Sequence, residues 1–260
     1  MKNTLLNIQD KWRNELKEWA LPARITDQLE DSTFRLSPES FAPEDSRLDT
    51  PTMRQALHIL NSNGTTLLDV GAAAGSTSLI LIPPAKHITV VDQNSAMLDM
   101  LRENAIQRNI KPDSLTIIHS DWPCDTELSA DVVLNANVLY NVSEPVPFIN
   151  SLIESAKMRA IIEVTEFHPH HSMNHIYAAL HGFQRPNTPT YVDILSMIEE
   201  LGFTYQVECF ERSMNQISSQ NLDAIARRAS IERSRMEEFQ DFVLKNPIKP
   251  TSVYTITIDR

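Results

Sequence analysis

A turn of small residues follows the apolar run at residues 65–70. The run carries Asp69 near its end and leads into Gly71, Ala73 and Gly75, which stand at every second position. Small side chains at this spacing permit a tight turn and let a ligand lie directly against the backbone. Glycines after strands also serve simple helix–strand packing, but two of the chain's 5 glycines stand here. The pattern therefore indicates a ligand-binding loop.

Carboxylates follow the next two apolar runs. Asp92 ends the second run, 21 residues after Gly71, where a carboxylate accepts hydrogen bonds from both hydroxyls of a ribose. Asp121 and Trp122 follow the third run and offer an acceptor for the amino group of an adenine with a flat ring beside it. Each residue alone is easily explained as structural, for example as a helix cap. Three in succession indicate a nucleoside-binding site.

These side chains meet only if the runs form a parallel sheet. From residue 65 onward, apolar runs alternate with predicted helices, which is typical of a parallel sheet covered on both faces. The carboxyl ends of such strands form the ligand-binding edge, so we predict an α/β, doubly wound fold. The predicted strands are 65–70, 87–92, 115–119, 131–135, 160–164, 204–210 and 252–258, and the predicted helices are 1–20, 52–60, 76–81, 95–108, 145–156, 190–201 and a charged stretch at about 221–244.

Composition limits the kinds of partner. The chain has 260 residues, 42% of them hydrophobic, which suffices for one large core. Its formal net charge is −11, so a phosphate backbone is repelled on average and nucleic acid is an unlikely partner by this criterion. One cationic cluster alternates with glutamates and is predicted to be a solvated helix face; its members are Arg227, Arg228, Arg233 and Arg235. No apolar run is long enough to span a membrane.

The spacing of cysteines and histidines gives no metal site. The 2 cysteines, Cys124 and Cys209, form no metal-binding spacing and are too few for a disulfide framework. We therefore predict free thiols in a reducing cytoplasm. His171 and His175 stand at the i, i+4 spacing of a metal-binding helix, but no third ligand is fixed by spacing, and we predict no metal.

Taken together, the motifs resemble those of class I S-adenosylmethionine-dependent methyltransferases. The motifs are residues 68–75, 91–92, 120–122 and 131–137, and the resemblance covers about residues 55–213 and the final strand. It implies a Rossmann-like, seven-stranded, mostly parallel sheet whose last strand is antiparallel. It also implies methyl transfer from S-adenosylmethionine, with S-adenosylhomocysteine as the product. The segments at residues 163–169 and 180–190 are similar to an uncharacterised bacterial subgroup, which adds no acceptor.

The resemblance implies a cofactor pocket at the ends of the first four strands. The implied pocket residues are Asp69, Gly71, Ala72, Ala73, Gly75, Asp92, Gln93, Met97, Asp121, Trp122, Asn135 and Asn137. Asp69 and the turn would hold the methionine part, Asp92 the ribose, and Asp121 with Trp122 the adenine. The segment from Asn135 to Asn137 would close over the methionine end. Ala73 replaces the family's usual glycine at the middle of the turn, which narrows the pocket slightly.

Acceptor chemistry is expected from the segment after the fifth strand. An alcohol or protonated amine needs a general base, whereas a carbon, sulfur or readily ionised oxygen acceptor needs mainly positioning. Five of the 8 histidines lie between residues 168 and 181. His168 is nearest the strand end and is the predicted base, supported by Glu166, whereas most of the other rings are expected to pack in a lid. The predicted acceptor is a small molecule of unidentified atom type.

Two other classes share parts of this pattern. An NAD-dependent oxidoreductase of Rossmann type has the same sheet and the same ribose carboxylate, but it would prefer the pattern Gly-x-Gly-x-x-Gly. In this chain the third small residue, Gly75, falls one position early for that pattern. A non-catalytic nucleotide-ligand-binding protein of the same fold is the other alternative, and the motifs leave it open.

The chain is divided into an arm and a larger domain. We predict a helical and irregular arm over residues 1–54 and a methyltransferase domain over 55–260, with a lid at 167–189 and a helical insertion at 219–246. Four aromatic residues of the arm either shape an apolar acceptor pocket or simply dock the arm on the sheet. They are Trp12, Trp19, Phe34 and Phe41. The sequence carries no signal for a particular oligomeric state.

Overall fold

Seven strands form one mixed sheet in the computed structural model, which describes residues 2–26, 41–212 and 222–260. The strands are β1 Thr66–Val70, β2 His87–Asp92, β3 Leu115–His119, β4 Ala130–Ala136, β5 Ala156–Thr165, β6 Gln206–Arg212 and β7 Thr251–Asp259. Their order across the sheet is β3-β2-β1-β4-β5-β7-β6. Every neighbouring pair is parallel except the two pairs made by β7. The predicted mostly parallel, seven-stranded sheet with an antiparallel last strand is confirmed.

Helices cover both faces of this sheet. In the described part of the chain they are α1 Lys2–Lys17, α2 Ala23–Thr26, α3 Pro51–Ser62, α4 Ser95–Gln107, α5 Pro145–Ser155, α6 Asn174–His181, α7 Tyr191–Glu200, α8 Leu222–Arg228 and α9 Met236–Lys245. The predicted helices at 95–108, 145–156 and 190–201 are confirmed, with ends shifted by one residue. None of these helices is long and apolar enough to cross a membrane.

Two predicted helices differ from the structure. In the segment 76–81 the first three residues are turn, and Leu79–Leu81 forms a short 3₁₀ helix. The charged stretch at 221–244 is broken into α8 and α9, because Ser230 adopts a left-handed φ of 57° that an α-helix cannot continue through. The prediction of a solvated face is wrong for Arg228, whose Nε lies buried.

The strand order reverses between β1 and β4. β1 pairs with β2 on one side and with β4 on the other, so the chain crosses from one half of the sheet to the other at this point. In open α/β sheets, ligands bind outside the carboxyl ends of the strands where the order reverses. The small-residue turn after β1 therefore lies at the place where the fold favours a ligand.

Two hydrophobic cores hold the sheet between its helical layers. α3 and α4 pack on one face, where Met53, Leu98 and Leu101 are buried against β1 and β2. α1, α5 and α7 pack on the other face. Trp12 of α1 is only 1% exposed, and its indole N–H donates to the carbonyl of Val142 at 2.9 Å. α1 is therefore docked on the sheet through a buried aromatic side chain.

A third apolar cluster joins α6, α8 and α9, which we call the cap. Tyr177 and Phe239 are fully buried in it, together with Ile25 of α2. α6 follows β5, and α8 and α9 lie between β6 and β7, whose end and start pair at the same edge of the sheet. The cap therefore stands at the carboxyl edge and unites the predicted lid at 167–189 with the described part of the predicted insertion.

The predicted boundaries of the arm and of the insertion do not coincide with the ends of the described structural elements. Residues 54 and 55, on either side of the predicted arm boundary, both lie within α3. Residues 219–221 of the predicted insertion, and Phe34 of the arm, lie outside the described residues. The division of the chain into arm and domain stays a prediction.

Candidate active site

The turn after β1 has the backbone geometry of a ligand cradle. Gly71 and Gly75 adopt left-handed φ values of 75° and 86°, and Ala73 between them has a φ of 47°. A Cβ atom on Gly71 would lie 2.4 Å from Cγ2 of Val138, so a side chain is excluded there. The amide of Gly71 donates to the carbonyl of Val91 at 2.8 Å, which ties the turn to β2. The buried Ala72 lies within the same turn.

Asp92 closes the turn from the side of β2. One oxygen of its carboxylate accepts the amide hydrogen of Ala73 at 2.8 Å, and the other accepts that of Asn94 at 2.8 Å. An ionised carboxylate has about four lone-pair positions, so two stay free for further donors such as ribose hydroxyls. The departure from glycine at Ala73 is thus accommodated, because its left-handed backbone directs the amide to Asp92.

Asp69 lies fully buried beneath the turn. Its Oδ2 accepts the hydroxyl hydrogen of Thr77 at 3.0 Å, whereas its Oδ1 has no partner among the described residues. Burial raises the pKa of Asp69 to about 6, and the hydroxyls of Ser78 and Thr77 oppose that rise. The carboxyl group is therefore mostly ionised at neutral pH while one of its oxygens lacks a donor.

Two asparagines at the end of β4 repeat this pattern, Asn135 within the strand and Asn137 directly after it. The side-chain amide of Asn135 donates to the carbonyl of Val70 at 2.8 Å, and that of Asn137 donates to Glu163 at 2.8 Å. In both residues Oδ1 is buried and has no partner within the described ranges. Buried polar atoms are nearly always paired. Three orphaned acceptors at the ends of β1 and β4 therefore fit a ligand that brings donors, such as an ammonium group.

A buried ion-pair network lies beside these acceptors, and the sequence analysis missed it. Glu163 of β5 is fully buried and accepts hydrogen bonds from Arg47, Arg212 and the hydroxyl of Thr52. Burial alone would raise the pKa of Glu163, but the two arginines hold it below its ordinary value. Arg47 also donates to Ser76 in the turn at 3.2 Å. A glutamate within a run of buried strand residues was the signal that could have revealed this network.

The predicted adenine side is more open. Asp121 is exposed, and its carboxylate has no partner in the described chain. Trp122 is half-buried, with its indole N–H donating to the carbonyl of Phe148 at 3.3 Å. Gln93 is exposed after β2, and Met97 is half-buried in the first turn of α4. These residues follow the ends of β2 and β3, at the same edge as Asp92, and their contact with a cofactor stays a prediction.

His168 lies farther along this edge, packed among aromatic rings. It stacks on Trp19 with ring centroids 4.3 Å apart and lies 5.7 Å from the ring of Tyr140. Its Nδ1 faces the backbone amide of His170 at 3.2 Å and accepts that hydrogen. Burial is the main cause that lowers the pKa of His168 to about 3. The neutral ring therefore carries its hydrogen on Nε2, an arrangement better suited to donating than to accepting.

The other residues of this segment have mainly structural contacts. No hydrogen bond joins the Glu166 side chain to His168 among the described residues, so the supporting role of Glu166 and the base role of His168 stay predictions. The rings of His171, His175 and His181 contact Asn187, the carbonyl of Asn246 and the carbonyl of Ala229, respectively. No group of three or more potential metal ligands occurs within the described ranges.

Fold and site together define a class of enzyme. A 3-2-1-4-5-7-6 sheet with a small-residue turn after β1 and a carboxylate after β2 is the arrangement of class I methyltransferases. Residues 68–159 match a family model described as a methyltransferase domain, and the sheet around them has the order found in such enzymes.

Solved structures of low sequence identity share this fold. A methyltransferase from Bacillus halodurans is 15% identical, covers 79% of this chain and 97% of its own, and has a TM-score of 0.56. Magnesium protoporphyrin IX methyltransferase from Synechocystis, with bound S-adenosylhomocysteine, is 14% identical over 97% of this chain and 98% of its own, with a TM-score of 0.54. A methyltransferase from Thiobacillus denitrificans, in complex with S-adenosylhomocysteine, is 14% identical over 92% and 99%, with a TM-score of 0.51. No curated protein matches the chain.

Proposed function

We propose that this protein transfers a methyl group from S-adenosylmethionine to a small-molecule acceptor. The observation that carries the proposal is the set of orphaned, buried oxygens of Asp69, Asn135 and Asn137 beside the glycine turn. A cofactor with an α-ammonium group supplies the donors that these oxygens lack. When bound, S-adenosylmethionine supplies a methyl group whose bond to sulfur breaks as the acceptor's lone pair forms the new bond, leaving S-adenosylhomocysteine.

Different residues bind different parts of the cofactor. The ionised carboxylate of Asp69 and the amide oxygens of Asn135 and Asn137 receive the methionine end. The free lone pairs of Asp92 receive the ribose hydroxyls, and Asp121 receives the adenine amino group. Because positioning supplies much of the rate of a displacement, a rigid cradle of this kind is itself a large part of catalysis.

The cap supports the proposal of a small acceptor. It lies at the carboxyl edge of the sheet, the edge at which the turn after β1 also stands. A helical cap at this edge leaves less room for a polymer than for a small molecule, and the net charge of −11 disfavours nucleic acid. His168, as a donor or as the base predicted above, follows β5 at this edge. The free thiols of Cys124 and Cys209 accord with a cytoplasmic location.

Isothermal titration calorimetry tests the cofactor and the alternatives together. We expect saturable binding of S-adenosylmethionine and S-adenosylhomocysteine and no binding of NAD. Binding of NAD alone would contradict the proposal and support an oxidoreductase instead. Asp92→Ala is expected to weaken S-adenosylhomocysteine binding by roughly 1–3 kcal/mol, because two ribose hydroxyls lose an acceptor. Asp99→Ala, an exposed aspartate of α4 paired with Arg102, is the matched control and should bind like the wild type. Equal affinity in a folded Asp92→Ala protein would remove that residue from the site.

A further inference from the structure

Two arginines of the cap region, the buried Arg185 and the half-buried Arg228, have guanidinium atoms out of contact with water. Arg185 is 9% exposed, and its guanidinium carbon stands 3.9 Å from the ring centroid of Tyr177 and 5.8 Å from that of Trp19. Arg228 ends α8, and its carbonyl accepts the hydroxyl hydrogen of the same tyrosine at 2.8 Å. Tyr177 therefore contacts the guanidinium group of Arg185 through its ring and the backbone of Arg228 through its hydroxyl group.

Neither arginine has an acidic partner among the described residues. Nε and Nη1 of Arg185 and Nε of Arg228 are buried without a hydrogen-bond acceptor. No ion pair links either of them to an aspartate or glutamate within residues 2–26, 41–212 and 222–260. An unpaired buried charge is costly, so such donors are retained where a ligand satisfies them. The buried Glu163, by contrast, pairs with two arginines, Arg47 and Arg212.

The neighbouring imidazoles add donors rather than charge. Burial, and then the charges of Arg185 and Arg228, lower the pKa of His170 to about 4, and burial lowers that of His168 to about 3. Both rings are neutral at physiological pH, and His168 keeps its hydrogen on Nε2. The cluster thus combines two cations with neutral hydrogen-bond donors in a chain whose net charge is −11.

The location connects this cluster to the methyl-transfer site. Arg185 follows α6 and Arg228 ends α8, and both helices belong to the cap at the carboxyl edge. His168 lies 5.7 Å from Tyr140, which is three residues beyond Asn137 of the cofactor-binding set. A ligand held by the arginines would therefore lie between the cap and the edge that holds the cofactor.

We propose that Arg185 and Arg228 bind an oxyanion, a carboxylate or a phosphate, of the methyl acceptor. This rests on the proposed function and narrows its substrate class to anionic small molecules. Guanidinium groups bind both kinds of oxyanion through paired, charge-assisted hydrogen bonds. Burial beneath the cap makes such bonds stronger than those of exposed arginines, because water competes less.

The test is calorimetric titration of the full chain, saturated with S-adenosylhomocysteine, with three probes. The probes are benzoate, inorganic phosphate and the neutral comparator benzamide. We expect one of the two anions to bind with 1:1 stoichiometry and benzamide not to bind, and the anion that binds identifies the source of the oxyanion. Arg185→Gln and Arg228→Gln should each weaken that binding roughly tenfold or more, the loss expected for a charged hydrogen bond. Affinity for S-adenosylhomocysteine should stay unchanged.

Matched variants make the result decisive. Arg227→Gln, an exposed neighbour on α8, should bind the anion like the wild type. Arg185→Lys keeps the positive charge and should bind the anion more tightly than Arg185→Gln. Because it retains the charge, it still tests the proposal if Arg185→Gln does not fold. Absence of binding by both anions, or equal binding by the wild type and the glutamine variants, overturns the proposal. If the wild type fails to bind S-adenosylhomocysteine, the proposed function fails, and the same titration without that ligand still decides the oxyanion site.

Discussion

At Asp69, burial sets the pKa of the same carboxyl group that is proposed to bind the cofactor. Burial raises its pKa to about 6, and one of its oxygens lacks a donor among the described residues. The ionised form is the form that attracts a cofactor ammonium group, because opposite charges stabilise each other in a buried site. Cofactor affinity should therefore follow the ionisation of this residue, falling as pH falls through about 6.

We expect the affinity for S-adenosylhomocysteine to drop about tenfold between pH 7.5 and pH 5.0. At the lower pH most of Asp69 is protonated, and apparent affinity scales with the binding-competent fraction. Asp69→Asn should bind more weakly at pH 7.5 and show little further change on acidification. Calorimetry at both pH values, with thermal unfolding to verify that the protein stays folded, measures this. A wild-type affinity independent of pH would contradict the proposed role.

At the scale of the element, the turn after β1 depends on space as well as on backbone freedom. Gly71 and Gly202 both have left-handed φ values, 75° and 87°, but only a Cβ on Gly71 would meet another side chain, at 2.4 Å from Val138. Gly202 has nothing within 4 Å. An alanine at Gly202 would therefore suffer backbone strain alone, whereas an alanine at Gly71 would suffer both backbone strain and a steric clash.

Gly71→Ala is expected to destabilise the protein more than Gly202→Ala does. The shared left-handed backbone costs about 1–2 kcal/mol in each variant, and overpacking against Val138 adds roughly 1–3 kcal/mol at Gly71 alone. Denaturant unfolding measures both, and calorimetry should show lost cofactor affinity only for Gly71→Ala. The double variant Gly71→Ala/Val138→Ala should regain part of the stability; if it does not, the contact with Val138 is not the cause.

The Glu163 network ties three elements together at the end of β5. Glu163→Gln should lower the free energy of unfolding by about 3 kcal/mol at pH 7, because Arg47 and Arg212 lose their counter-charge. Since the pKa of Glu163 is held below its ordinary 4.5, its contribution is complete above that pH and is lost as pH falls through the folded value. The variant's stability should therefore vary less with acid pH.

The control for this prediction is a carboxylate in an exposed pair. Asp259→Asn breaks the pair with Arg159, in which the aspartate is 56% exposed, and should cost no more than about 1 kcal/mol. Urea unfolding at pH 7 and pH 4 compares the two variants. Equal losses at pH 7 would show that burial adds nothing to the pairing of Glu163.

At the scale of the whole molecule, two tryptophans of the N-terminal segment contact different parts of the fold, one the core beside the sheet and the other the segment that leads into the cap. Trp12 fills the core between α1, α5 and α7 and stacks on Tyr140 with centroids 5.5 Å apart. Trp19 instead stacks on His168, and its indole N–H donates to the carbonyl of Thr188 at 2.7 Å. The segment thus docks on the sheet through one ring and reaches the base of the cap through the other.

Hydrogen exchange should distinguish these two roles. Trp12→Ala removes a fully buried side chain and should cost about 3–5 kcal/mol, with faster amide exchange in α5 and α7. Trp19→Ala should instead speed exchange mainly in α6 and α8 of the cap while S-adenosylhomocysteine affinity is kept. Mass spectrometry with peptide resolution measures both variants. The same exchange pattern in both would mean that the cap and the sheet open as one unit.

The sheet and the order of the motifs along its edge could be predicted from the amino-acid sequence. Apolar runs of strand length alternating with helices specify a parallel sheet, and glycines or carboxylates at the ends of those runs must come to one edge. β2 and β3 match their predicted bounds, and Asp92 meets the turn as expected. Such features are local in the chain, so spacing is enough to reveal them.

Which charges are buried together depends on the tertiary structure. Glu163 meets Arg47 and Arg212, which lie 116 and 49 residues away in the chain. Arg228 was predicted on a solvated face, but its Nε is buried, and its charge acts on His170 together with that of Arg185. Neither outcome follows from spacing, because the cost or benefit of a charge depends on burial and on partners distant in sequence. The cofactor edge is therefore visible in the sequence, whereas the cationic cluster under the cap is visible only in the fold.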